Sequence, residues 1–127
     1  MLAADTFERN CPTRTILDQV TNRWGTLIIV ALIGGPHRFS ALNAKVGGIS
    51  QKMLAQNLRA LVRAGLIERS VVPTVPPQVT YALTELGADL ATPLCALIQW
   101  IGAHAAQLLE AQSRYDTEAA TSRPDSG

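Results

Sequence analysis

From Ser50 to Gly65 the chain carries two stripes on one predicted helix, and this pattern constrains the fold more than any other. Ser50 is a residue type that caps helix starts, and Gly65 is the type that ends them, so Gln51 to Ala64 is predicted as one helix. Leu54, Leu58, Leu61 and Gly65 recur at spacings of four, three and four. That is the stripe by which a helix anchors on a core. Lys52, Gln56, Arg59 and Arg63 recur at the same spacings on another face, bordered by Gln51, Ala55 and Asn57. A fold that uses this helix must grip its apolar side and leave its cationic side open.

The flanking segments supply such a scaffold. Before it, Ala41 to Val46 is predicted as a small helix capped by Ser40, and Gly47-Gly48-Ile49 as a tight turn. Helix, glycine turn and capped helix make a helix-turn-helix. After it, Leu66 to Val72 and Val79 to Leu83 read as strands around the proline-rich tip Pro73 to Gln78. Upstream, Pro12 opens a helix to about Asn22, and Trp24 to Ile33 forms a nearly all-apolar helix ended by Gly34-Gly35-Pro36. His37-Arg38-Phe39 is a short extended piece. Downstream, Thr84 caps a last long helix with a leucine seam, which Pro93 should kink or split. The expected class is mainly α with a small β part (α+β): a winged helix-turn-helix with a two-stranded wing and a long C-terminal dimerisation helix. One domain is expected over 1–112, followed by a polar, disordered tail over 113–127.

Charge is segregated. The chain has net charge +1, yet residues 23–69 hold seven Lys and Arg against Glu68 alone, between acidic ends. A basic middle of this kind suits a polyanion. In a major groove Arg or Lys can pair guanine and Gln can pair adenine, and the first residues of the helix reach deepest. Double-stranded DNA is therefore the expected partner. Gln51, Lys52 and Gln56 are the expected base readers, Ser50 a phosphate donor at the helix N-terminus, and Arg38, Arg59 and Arg63 further contacts. A protein-interaction module of the same fold, without DNA binding, is the rival reading.

Other classes find little support. No HExxH, GxSxG, P-loop or paired-carboxylate pattern appears, so no enzyme is expected. Cys11 and Cys95 form no metal-binding spacing, so no metal or cofactor is expected. The longest apolar run, Trp24 to Gly35, is short of the roughly 20 residues of a membrane span, and the N-terminus has no apolar leader. No membrane association, a cytoplasmic location and reduced cysteines are expected. The last helix carries Leu90, Leu94, Leu97, Ile98, Trp100 and Ile101, more apolar surface than one domain can cover. A homodimer through the first and last helices follows.

The ordered set of short motifs resembles the HxlR-type winged helix-turn-helix family of bacterial transcription regulators, relatives of the MarR class. The matching residues are Cys11-Pro12, Arg23-Trp24, Gly35-Pro36 with Arg38-Phe39, Leu42, and Gly48-Ile49-Ser50 with Lys52-Met53-Leu54. They continue through Leu58-Arg59-Ala60-Leu61, Gly65-Leu66-Ile67, Pro73 with Val75-Pro76-Pro77, and Val79, Tyr81 and Leu83-Thr84-Glu85-Leu86-Gly87. The resemblance implies a homodimer on a palindromic operator, usually a local repressor and sometimes an activator. It also implies that a cysteine just before the first helix can sense small oxidants or electrophiles. Cys11 holds that place, and a helix N-terminus with Arg9 and Arg14 nearby favours the reactive thiolate. Packing against the first helix is the alternative for Cys11. Cys95 is expected to pack, with pairing to Cys11 the alternative. A regulator responsive to an apolar small molecule is a further alternative. Two departures stand out: Gln78 where the family often has a basic wing residue, and Ala55 where threonine is frequent.

Overall fold

A computed structural model of the protein describes Phe7 and residues 11–122. Helix α1 (Pro12–Thr21) and helix α2 (Arg23–Ala31) meet at Asn22. The Asn22 side chain accepts from the amides of Trp24 and Gly25 at 3.0 and 2.9 Å and donates to the carbonyls of Asp18 and Gln19 at 3.1 and 2.8 Å. One residue thus closes α1 and caps α2, satisfying backbone groups that both helix ends leave open. A 3-10 turn (Leu32–Gly34) follows, then β1 (His37–Arg38), α3 (Phe39–Lys45) and α4 (Gln51–Arg63). The chain continues through β2 (Ile67–Val72), β3 (Gln78–Leu83), α5 (Glu85–Ala103) and α6 (Ala105–Ser122).

The sheet is antiparallel with order β1-β3-β2. The expected hairpin forms with Arg69 opposite Tyr81 and Val71 opposite Val79, and the short extended piece adds a third strand as His37 pairs Tyr81. The core is built from Ile28, Ile29 and Leu32 of the second helical segment, Leu42 of α3, Leu54, Leu58 and Leu61 of α4, and Ile67 of β2. All the leucines of the anchoring stripe are buried, which is why the rest of α4 faces outward.

Several local expectations are corrected. Ser40 is not a cap: α3 begins at Phe39, directly after the paired strand, and Arg38 occupies the cap position with no side-chain bond. The last long helix does not break at Pro93. It runs through Pro93, and the interruption falls at His104. A helix also stands where a disordered tail was expected, since α6 reaches Ser122; residues 123–127 lie outside the described ones. The segment is poor in large apolar groups but rich in Ala, Gln, Glu and Leu, which favour helix, and Arg114 pairs Glu110 one turn away at 3.2 Å.

The described residues fall into two compact units, one up to Leu94 and one from Cys95 onward. Among single described helices, α5 alone is long and apolar enough by composition to cross a membrane, with mean hydropathy 1.3, where the sequence run-length gave none. Gly87, Ala91 and Leu94 of α5 are buried in the first unit, so one face of its first half is already taken up by the domain.

Candidate nucleic-acid interface

The turn before α4 is fixed from three sides. Val46 and Ile49 are buried, Asn43 donates to the Ile49 carbonyl at 3.2 Å, and Gly48 adopts φ +87, a backbone region costly for any side chain. Ser50 then caps α4, its Oγ accepting the Met53 amide at 3.1 Å. This cap is where the sequence predicts it. At the far end Gly65, at φ +80, terminates the helix.

At about 100° per residue, Lys52, Gln56, Arg59 and Arg63 fall within one narrow sector of α4, opposite Leu54, Leu58 and Leu61. All four are exposed, as are Ser50 and Gln51 at the helix start. Four of the seven sequence-derived contact residues therefore share one sector, while Ser50 and Gln51 are exposed at the helix start outside it. Arg38 is exposed too but stands on β1, paired with Thr80, so alternation puts it on the sheet face opposite Arg69 and Tyr81.

Among the described residues the one ion pair is Arg114 with Glu110 on α6, so none of the cations between Arg23 and Arg69 has a carboxylate partner. Lys45 is nevertheless occupied. Its Nζ donates to the Ala31 carbonyl at 2.9 Å and lies 3.2 Å from His37 Nε2, while His37 Nδ1 donates to the Gly35 carbonyl at 2.7 Å. Both residues serve the scaffold. Arg23 stacks on the Trp24 ring at 4.2 Å. One cation missing from the sequence-derived set joins the surface: Arg69 of β2, which borders α4. Its signal was its membership of the basic stretch, and strand pairing alone decides which way it faces.

Cys11 lies apart from this surface in sequence. Cys11 is the N-cap residue of α1, half-buried, with Sγ 2.9 Å from Thr13 Oγ1. Arg14 donates to the Phe7 carbonyl at 3.1 Å; Arg9 lies outside the described residues. No group of His, Cys, Asp and Glu able to hold a metal occurs among the described residues.

Comparison with known proteins places this architecture. Residues 19–109 match the model of the HxlR-like helix-turn-helix family. The chain belongs to that family. This HxlR-like protein is 52% identical over 95 residues to an uncharacterized HTH-type transcriptional regulator, YtfH, of Escherichia coli K12, covering 75% of each chain. The solved structure of a transcriptional regulator, ytfH, from Salmonella typhimurium superimposes with TM-score 0.83 at 46% identity, over 87% of this chain and 99% of that one. YodB of Bacillus subtilis, solved after diamide treatment, gives TM-score 0.57 at 38% identity, over 79% and 96%. The protein is a winged helix-turn-helix transcriptional regulator of the HxlR type.

Proposed function

We propose that this regulator reads a palindromic operator as a homodimer, with Ser50, Gln51, Lys52, Gln56, Arg59 and Arg63 of α4 in the major groove and Arg38 on the flanking backbone. The observation that carries the reading is the outward sector of α4. Its Lys, Gln and Arg side chains are exposed, free of carboxylate partners and rigidly based on a buried leucine stripe. A major groove is wide enough for such a helix, and these side-chain types match its donor and acceptor pattern. The protein-interaction reading has no comparable observation behind it.

Dimerisation is supported by apolar side chains left exposed in each unit: Ile16, Leu17 and Leu86 in the first, Leu97, Trp100 and Ile101 in the second. Two copies would set their recognition helices about 34 Å apart, one turn of duplex. Cys11 is the proposed site of response to an oxidant or electrophile. Its place at the start of α1 supports this, as does the solution of the related YodB in diamide-treated and reduced forms. A cytoplasmic location follows from the DNA partner.

Footprinting of the purified protein on the DNA flanking its own gene, with and without diamide, tests the reading. Two protected half-sites are expected, with protection lost on oxidation of the wild type and kept in Cys11→Ser. Absence of any protected tract overturns the operator reading. An equal diamide response in both proteins overturns the role of Cys11 alone.

A further inference from the structure

Between α4 and the wing lies a groove of about 530 Å³ that combines charge from two elements. Arg59 and Arg63 line it from the helix, and Arg69 lines it from β2. Leu58 and Val62 form an apolar floor, and Tyr81 stands beside Arg69 as its direct partner across the β2–β3 ladder. Residues opposite each other in an antiparallel pair project on the same face, so Arg69 and Tyr81 enter the groove together. The other face of the sheet carries Glu68, Ser70 and Arg38, which alternation excludes from the groove.

Three guanidiniums in one groove repel one another, and no described carboxylate relieves them. Among the described residues nothing hydrogen-bonds the Tyr81 hydroxyl either. Converging donors without an internal acceptor are arranged for an external anion, and planar guanidinium forks suit phosphate oxygens. Beyond Arg69 the wing carries no charge until Glu85. The hairpin tip therefore carries no cation, and Arg69 at the base of the wing is the one cation of the hairpin.

We infer that Arg69 and Tyr81 complete, with Arg59 and Arg63, a seat for one backbone phosphate of the duplex where the strand passes between recognition helix and wing. The inference rests on the DNA reading above but not on any operator sequence, because a phosphate contact is blind to sequence. Arg69 is thereby a positioning residue: it fixes the register of α4 in the groove and reads no base.

The test is the salt dependence of binding, measured on the footprinted duplex and on a random duplex of equal length. Each phosphate neutralised contributes about 0.9 to the slope of log affinity against log salt. Arg69→Gln and Arg69→Met are each expected to lower the slope on both duplexes by a part of that ~0.9, since Arg59 and Arg63 stay on the same phosphate, and to weaken both several-fold, leaving their affinity ratio unchanged. Arg69→Lys keeps the charge and is expected to keep the slope. Tyr81→Phe is expected to weaken binding with the slope intact. Arg114→Gln, which removes a cation already paired with Glu110, sets the background from net charge. Circular dichroism of each variant reports folding, and the Met variant keeps the aliphatic stem should the Gln variant unfold. A slope loss for Arg69→Gln no larger than that for Arg114→Gln overturns the seat while the operator reading stands. A wild type that binds neither duplex overturns both.

Discussion

Ser50 is predicted to serve α4 and the operator at once, and two substitutions separate the roles. Its Oγ accepts the Met53 amide at 3.1 Å, which leaves the hydroxyl proton available to a phosphate oxygen. Ser50→Ala removes both bonds. Loss of the cap costs about 1 kcal/mol of stability. Loss of a hydrogen bond to a charged phosphate costs about 1.5–3 kcal/mol of binding, roughly ten- to 150-fold in affinity. Ser50→Asp keeps the cap, since aspartate is as good an acceptor at this position and favours the positive end of the helix. It has no proton to donate and sets a carboxylate against the phosphate. The expected result is a protein at least as stable as wild type in thermal unfolding, yet weakened on a labelled operator duplex at least as much as the alanine variant in fluorescence anisotropy. Wild-type affinity for Ser50→Asp would refute the phosphate contact, because capping alone would then explain the serine.

Two further predictions concern the support of the site. Thr84 Oγ1 donates to the Gly65 carbonyl at 2.6 Å and accepts the Gly87 amide at 3.0 Å, tying the end of α4 to the start of α5. Thr84→Val keeps the shape and loses both bonds, so denaturant titration should show a loss of about 1–3 kcal/mol; an unchanged midpoint would sever this link. Ile101→Asp places a charge on the exposed apolar face of α5 and is expected to give a folded monomer at micromolar concentration in sedimentation, with operator binding lost. Persistence of the dimer would move the interface elsewhere.

The sequence made α4 legible because its two stripes, its cap and its stop agree with one another. Ser50, Leu54, Leu58, Leu61 and Gly65 were each readable from local chemistry, and the buried core follows them. The hairpin, though not its register, was legible in outline, since three prolines leave few places for the turn. What remained hidden depends on contacts distant in sequence. Arg69 has the same local context as any strand cation, and only its pairing with Tyr81 turns it toward α4. Lys45 and Lys52 look alike as basic helical residues. The Ala31 carbonyl and His37, both far along the chain, take Lys45 out of the interface. At Pro93 the helix is not split: the missing amide costs it one backbone hydrogen bond, and the turns on either side keep their own.

Position 52 offers the sharpest separation of stability from function. Ser50 is the cap of α4, so Lys52 sits in the first turn, against the positive end of the helix dipole, and no acidic residue accompanies it. The contrast is α5, whose first turn carries Glu85. A cation at a helix N-terminus is unfavourable by a few tenths to about 1 kcal/mol, so stability alone would favour Glu at position 52. Lys52→Glu should therefore raise the midpoint of thermal unfolding of the free protein, by the equivalent of about 1 kcal/mol. The same change puts a carboxylate at the deepest point of the reading helix and should abolish binding to the operator duplex. Lys52→Ala, which removes the proposed base contact without introducing a carboxylate, should cost about 1–3 kcal/mol of binding. A residue kept where it weakens its own helix is explained by a ligand that repays the cost. If Lys52→Glu lowered stability instead, the lysine would be a structural residue, and the assignment of this end of α4 to DNA would lose its physical basis.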